Sequence, residues 1–558
     1  MEEKAGKGAE DMETTAVAEA AAETAPARVR RRRGPVSPER KRDREFLVVL
    51  FVLIGAYIAL FLTLSLLRYA NLRASNFDTA IFSQTIWLLS KFKAPFSTIR
   101  GTNLFGDHMA PMLFFLVPLY WIKGNIPALL TVQTVALGLG ALPLYLLARD
   151  KLESRGLALA VGAAFLIYPA LEHMNLFDFH PETIGLTLIL FAFLAIDRKR
   201  TGWFYVCCVG AAICKEDMAL AVLVLGILVY FLYDKRAGII VAASSALYFL
   251  VTVFALIPAL GPAGYQYAGR LEQFGNTPLE AARNFFLHPM RTLNILATRE
   301  NLRYIFDLLL PVAFLSLFAP AYLLPAIPAF AINMISSFQY QHTILNQYTA
   351  GIIPFIFIAL VFGLRRIKTW ADGSFRPKLV LGSLAAVIVL CALAGNFYYG
   401  PTPLSGSWNP RLYASDRHID AINEGLSKIP GDAPVSAQVF LLAKLSTREK
   451  LYMFPNPFID YVDRKYFDSL DEGMQRIIWP ELFRRRLKGA DPSRYPVPEV
   501  TYVALDTSTP VAPDRSNTVW PTVEEQYKKV VNRLKKQGGF RPVFERDGVV
   551  ILKKSGVP

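Results

Sequence analysis

Residues 46–67 read FLVVLFVLIGAYIALFLTLSLL, between Arg44-Glu45 and Arg68. As a helix this uncharged run is about 33 Å long at 1.5 Å per residue, enough for a hydrocarbon core of about 30 Å. The rest of the chain has the same character. Of its 558 residues 53% are hydrophobic and 19% charged, with 39 Phe and 24 Tyr. A soluble chain carries about 25% charge, so the sequence predicts an α-helical polytopic membrane protein. The net charge of +15 sits in short groups between apolar runs: Arg28 to Arg33, Arg198-Lys199-Arg200 and Arg365-Arg366. That is the pattern of cytoplasmic loops, not of a nucleic-acid-binding stripe. Cys207, Cys208, Cys214 and Cys391 all fall in apolar runs, so neither a disulfide framework nor a zinc cluster is implied.

Working outward from 46–67, residues 1–45 are low in complexity and predict a disordered cytoplasmic tail. Residues 68–109 form a long external loop, of which 77–91 is amphipathic enough to lie in the interface. Residues 110–122 are too few for a crossing and read as a re-entrant or embedded piece. Beyond them lie runs at 126–148, 156–171 and 183–196, a tight pair within 202–233, and 238–258. A long polar loop covers 260–303, and Pro-rich runs at 304–318 and 320–335 precede 347–364 and 378–396. That makes about 11 spans with the basic groups repeatedly inside, a transmembrane domain over 46–396 and a tail, 397–558, outside. The tail alternates a helical pattern at 416–428 and a basic helix at 523–536 with strand-like runs at 434–442, 500–506, 541–545 and 548–553. It predicts an extracytoplasmic α/β domain without a Gly-rich phosphate loop or nucleophile elbow.

On this topology the ionisable groups gather on one side. Gly106-Asp107-His108 and Asp178-Phe179-His180-Pro181-Glu182 are both external, as are Asp78 and every histidine. Ionisable side chains beside hydrocarbon mark sites or polar cavities. Pro181 suits the first turn of the helix after it, which puts Asp178 and Glu182 near its positive end. Carboxylates there can act as general bases or bind a divalent metal, while a lone Asp at a helix start is commonly a cap. Lys215-Glu216-Asp217 sits at the tip of the tight pair and suits a phosphate partner. Gln339, Tyr340 and His342 combine amide and aromatic groups that suit sugar recognition or an interfacial belt.

Four segments carry a resemblance: Phe77-Asp78-Thr79-Ala80-Ile81-Phe82-Ser83-Gln84, Gly106-Asp107-His108-Met109-Ala110-Pro111, Asp178-Phe179-His180-Pro181-Glu182 and Lys215-Glu216-Asp217. Together with Tyr452-Met453-Phe454-Pro455-Asn456-Pro457 and Tyr502-Val503-Ala504-Leu505-Asp506, they resemble those of a widespread prokaryotic family of predicted membrane proteins, a domain of unknown function. That family is thought to resemble the GT-C membrane glycosyltransferases, which place a catalytic carboxylate soon after the first span and use a polyprenyl-phosphate-linked sugar. The resemblance implies a multi-pass enzyme of the inner or plasma membrane, its N-terminus cytoplasmic, that moves such a sugar to an envelope glycan, lipid or protein acceptor at the outer face. Asp78 matches the catalytic carboxylate, without the adjacent second acid of the mannosyltransferases. Asp107, His108, Asp178, His180 and Glu182 would bind the acceptor or a divalent metal, the one cofactor left open. Lys215, Arg270 and Arg303 are candidates for the donor phosphate. The reading from a different class is a transporter or flippase of lipid-linked or anionic solutes, in which the acids and histidines relay protons. No convincing inverted repeat supports it.

Overall fold

The computed structural model describes residues 38–261, 266–275, 277–371, 377–458, 499–508 and 524–556. Most of the expected tail, 1–45, lies outside them. Residues 38–47 are the first turns of the helix Pro38–Ala70, and the main body of the fold begins at Val48.

Among the described residues, four helices are long and apolar enough to cross a bilayer: Lys41–Ala70, Ile126–Leu152, Lys235–Leu260 and Lys378–Tyr399. A fifth is counted if Arg155–Leu166 and Pro169–Leu176, bent by 41°, form one span. The break falls at Pro169, which has no N–H to continue the ladder. Glu182–Asp197, Thr201–Ala212 and Met218–Leu232 occupy three further expected runs but are only 16, 12 and 15 residues long. Residues 111–123 begin as a 3-10 turn, Pro111–Leu116, and end as the short helix Val117–Lys123.

Two stretches differ from expectation. The runs 304–318 and 320–335 are not single helices. After Arg299–Leu309 come 3-10 pieces at Leu310–Val312, Leu315–Phe318 and Pro320–Ala326, and only Ile327–Ile335 is α-helical. Pro311, Pro320 and Pro325 remove donors along this stretch, and Ala313 and Phe314 turn left-handed at φ 53° and 58°. The loop 260–303, read as merely polar, holds the helices Pro278–Leu287 and Pro289–Leu296 and the start of Arg299–Leu309.

The basic loops meet at one end of the bundle. Arg198 pairs with Asp150 at 2.7 Å, Lys151 with Asp197 at 2.5 Å and Lys368 with Glu153 at 2.9 Å. These charged loop residues therefore lie close together in space.

The tail residues form a five-stranded sheet. Its strands are β3 (Val435–Ala437), β4 (Leu451–Met453), β5 (Tyr502–Asp506), β6 (Phe540–Arg546) and β7 (Val549–Lys554), in the order β4-β3-β5-β7-β6. β1 (Phe96–Ser97) and β2 (Thr102–Asn103) make a separate hairpin. β3 runs parallel to β4 and β5, while β7 is antiparallel to β5 and β6. The run 434–442 is a strand for only three residues before the chain coils into the helix Val439–Leu442. Alternation along β5 splits the core. Val503 and Leu505 join Val530 and Leu534 of the helix Glu524–Lys536 on one face. Tyr502 and Ala504 face the other way, into a cluster that runs on through Ile419 and Leu441 to Ile81, Ile86 and Leu113. The sheet and the segment 68–109 thus share one hydrophobic core.

That shared core corrects the interfacial reading of 77–91. Ten of the 14 residues of the helix Phe77–Ser90 are buried, including the polar side chains of Ser83, Gln84 and Thr85. Chain, not headgroups, covers its polar face. Gln84 Nε2 donates to Thr98 Oγ1 at 2.9 Å and to the Arg448 carbonyl at 3.2 Å, while its Oε1 accepts from Ser97 Oγ at 3.0 Å. Ser83 and Ser446 share a hydrogen bond of 2.7 Å.

Gly106 shows why its motif begins with glycine. A Cβ there would lie 2.2 Å from the Gly261 nitrogen, and one on Gly261 would lie 2.5 Å from the Gly106 carbonyl oxygen. Backbone meets backbone, so neither side can give way. Gly106→Ala should lower stability by about 1–3 kcal/mol through overpacking. It should depress the thermal unfolding midpoint of the purified protein, whereas Gly156→Ala, with no atom within 4 Å of its Cβ, should not.

Candidate functional site

At the end of the bundle opposite the basic loops, two chain segments about a hundred residues apart in sequence are tied together. The central tie is Asp178. Its Oδ1 accepts the Asn76 N–H at 2.9 Å, and its Oδ2 accepts the N–H groups of Asp78 at 2.9 Å and Thr79 at 3.4 Å. The Thr79 hydroxyl returns the contact by accepting Phe179 N–H at 2.9 Å. Asp178 therefore caps the helix Phe77–Ser90 from across the fold, where the local residue, Asn76, is left-handed at φ 63° and makes no side-chain cap. Sequence proximity points to the next helix, Glu182–Asp197. The side chain turns to a different one.

Fixing that terminus aims Asp78. Its Oδ2 lies 3.4 Å from His180 Nε2; the Asp78 side chain is 34% exposed and the imidazole 5%. His180 Nδ1 is 2.8 Å from the Asp178 carbonyl oxygen, which can only accept, so Nδ1 carries a hydrogen. Nε2 faces a carboxylate oxygen, so one more proton is needed between them, and the charged pair His180⁺–Asp78⁻ supplies it. The electrostatics agree. Burial by itself would lower His180, but the bond to Asp78 and the charges of Glu182 and Asp78 raise it above 6.5. Burial by itself would raise Asp78, but the bond to His180 and the charges of His180, Arg100 and His108 hold it below 3.8. The ring is also clamped, stacked on Phe177 at 5.6 Å and edge-on to Phe82 at 5.7 Å.

The first cluster stands beside this pair. Asp107 takes a bidentate contact from Arg100, Nε to Oδ2 at 2.8 Å and Nη2 to Oδ1 at 3.1 Å, and a third bond from the Tyr267 hydroxyl at 2.9 Å. Burial would raise this carboxyl, yet the Arg100 charge and these bonds hold it well below the usual carboxylate range. His108 stacks on Tyr267 with ring centroids 4.4 Å apart and reaches Glu216 Oε1 with Nδ1 at 2.9 Å. Glu216 also accepts Met109 N–H at 3.2 Å. Its neighbour Lys215 lies 3.3 Å from Glu182 Oε1 and 3.2 Å from Asp217 Oδ2. Glu182 Oε2 is buried with no hydrogen-bond partner among the described residues. Tyr348 is near two cations, with Lys215 Nζ 6.0 Å and Arg270 Cζ 5.9 Å from its ring centre. Arg270 also lies over Tyr267 and Phe338 at 4.7 and 4.4 Å.

Asp78, Asp107, His108, Asp178, His180, Glu182, Lys215 and Arg270 thus belong to one network. Arg303 stands apart, 74% exposed and paired with Asp307 of its own helix at 3.6 Å. His342 is used in structure, with Nδ1 2.7 Å from Asn301 Oδ1 and Nε2 2.8 Å from the Ser336 carbonyl. Gln339 is exposed, and Tyr340 packs on Phe338 with centroids 5.1 Å apart. Arg100, Tyr267 and Gln133, whose Oε1 accepts His180 N–H at 2.9 Å, were not legible in the sequence. Arg100 sits in an ordinary polar loop, and only its distance to Asp107 reveals it.

The donor set does not suit a divalent ion. Among the described residues no three of His, Cys, Asp and Glu converge as ligands. The expected ligands are committed elsewhere: Asp107 to Arg100, Asp178 to backbone N–H groups, His180 to Asp78 and the Asp178 carbonyl, and His108 to Glu216.

The chain belongs to the DUF2079 family of predicted membrane proteins, whose profile matches residues 68–551. Among solved structures it is similar to the Archaeoglobus fulgidus oligosaccharyltransferase in complex with Zn and sulfate, with 14% identity over 80% of this chain and 68% of that one and a TM-score of 0.36. The apo form of that protein gives 14% identity, 80% and 69% coverage and a TM-score of 0.37. Archaeal oligosaccharyltransferase AglB from the same organism, with an inhibitory peptide and a dolichol-phosphate, gives 14% identity, 93% and 75% coverage and a TM-score of 0.39. No curated protein matches.

If Asp178 is a cap, replacing it should be felt as lost stability. Asp178→Asn turns an amide NH₂ toward N–H donors and leaves at least one buried donor unmet, at a cost of about 1–3 kcal/mol. The midpoint of thermal unfolding should fall, and protease should cut faster within 77–90. A variant with unchanged midpoint and cleavage would remove the capping role.

Proposed function

We propose that this membrane protein transfers a sugar from a polyprenyl-phosphate donor to a glycan, lipid or protein acceptor of the cell envelope at the outer face of the membrane. The observation that carries the proposal is Asp78: a partly exposed, ionised carboxylate on a braced helix, flanked by the cations His180 and Arg100. Such a group can take a proton from an acceptor hydroxyl, and its charge favours an oxocarbenium-like transition state. Lys215 and Arg270, each within about 6 Å of the Tyr348 ring centre, would draw the donor phosphate. Glu182, with its unfilled Oε2, would accept a hydrogen bond from a hydroxyl of sugar or acceptor. Asp107 and His108 would shape the wall. In this reading the N-terminus is cytoplasmic, and residues 397–558 form an external domain that orients the acceptor.

Purified protein, a radiolabelled polyprenyl-phosphate sugar and an envelope extract test the proposal. Asp78→Asn keeps the shape but cannot accept the proton, and transfer should fall about 10²–10⁴-fold in a variant that still folds. Full transfer by that variant would refute the role of Asp78.

The acid limb of the rate profile is fixed in sign. A carboxyl held below its ordinary value stays ionised until the pH falls through that lowered value, so the wild-type limb should lie below 3.8. His180→Gln removes the bond and charge that lower Asp78 and leaves burial, which raises it. The limb should then move to higher pH in a plot of rate against pH.

A further inference from the structure

Residues 277–309 expose apolar side chains that no span accounts for. Thr277 and Thr298 cap Pro278–Leu287 and Arg299–Leu309, and Pro289 opens the helix between them. Their inner side is conventional. Ala281, Thr292, Asn301, Tyr304 and Leu308 are buried, and Ala281 packs with Phe274 and Ile335. The outer side is not. Leu279, Phe286, Met290, Leu293, Leu302 and Phe306 are 46–78% exposed, a concentration of large apolar groups that soluble surfaces avoid. Arg283, Arg291 and Arg299 stand exposed among them, on long stems that can keep their charges at a headgroup layer.

The surroundings identify what covers this side. The helix Lys235–Leu260 presents Leu247, Leu250 and Phe254 at 64, 51 and 52% exposure and Leu260 at 42%, the surface of a span turned to lipid. Its end is fixed at the site by the contact between Gly261 and Gly106. Beyond 277–309 the apolar surface resumes at Leu317 and Leu324, 51 and 45% exposed. The segment lies in chain order between two lipid-facing stretches and has their chemistry.

We propose that residues 277–309 form a ledge lying in the interfacial layer of the bilayer at the site's end of the bundle, with their outer apolar side chains among the acyl chains and their arginines at the lipid phosphates. The partner is the lipid leaflet, and the ledge does not depend on the transfer reaction. Two hydrogen bonds tie it to the neighbouring chain: Asn284 Nδ2 to the Phe274 carbonyl at 2.6 Å, and Asn301 Oδ1 with His342 Nδ1 at 2.7 Å.

Nitroxide labels at Phe286→Cys, Met290→Cys and Leu302→Cys test the ledge. They are placed singly in the full chain with Cys391→Ala, since the other three cysteines are buried. The protein is held in nanodiscs of phosphatidylcholine and phosphatidylglycerol. Relaxation by oxygen, which partitions into lipid, is compared with relaxation by a water-soluble nickel chelate. Labels at Leu247→Cys and Lys428→Cys set the lipid and water limits. The ledge labels should group with Leu247, the oxygen effect exceeding the nickel effect. Grouping with Lys428 would place the segment in water, and shielding from both reagents would place a protein partner or second copy over it; either result overturns the proposal. Should a label prevent folding, Leu279→Cys and Leu293→Cys replace it.

Discussion

The architecture around the site depends on one carboxylate. Asp178 is separated in sequence by about a hundred residues from the helix it caps, yet its two oxygens collect three N–H groups at that helix's start. A helix N-terminus left bare in a buried place carries unmet donors, each expensive away from water. Asn76, in the left-handed region, cannot meet them. The fold meets them from the connection between two apolar helices, and the same contact sets where Asp78 points. Stability and the aim of the candidate catalytic group are one constraint here.

The remaining ionised groups obey a second constraint. Burying them is costly unless each has a partner in good geometry. The site brings acidic, basic and imidazole side chains close together, and most acids have a named partner. Asp107 has Arg100, Glu216 has His108, and Lys215 is shared by Glu182 and Asp217. Some capacity is left over: Asp78, paired with His180, is open to solvent over a third of its side chain, and one oxygen each of Glu182 and Asp217 lacks a partner among the described residues.

Legibility in the sequence divided along physical lines. Long apolar runs declare themselves through length and hydropathy alone, so Ile126–Leu152, Lys235–Leu260 and Lys378–Tyr399 stand where the sequence places them. The clustering of the basic loops was legible from the distribution of charge. Prolines spoiled the runs at 304–335 because hydropathy does not register missing donors. The helix Phe77–Ser90 reads as interfacial from its sequence because polar residues on an amphipathic helix ordinarily meet water or headgroups, while in the fold they meet residues 446–449, far along the chain. Membership of the acidic and histidine groups in one site was legible. Their pairings were not, since Arg100 with Asp107 and His108 with Glu216 are set by tertiary approach.

The clamping of His180 has a wider meaning. Its ring is stacked on one face, met edge-on by a second aromatic ring and tied at Nδ1 to a backbone oxygen. These contacts restrain it against flipping. A proton can arrive at or leave Nε2 while every heavy atom stays where it is, so the pocket can alter its charge without altering its shape. Such a centre works as an electrical setting rather than a moving part.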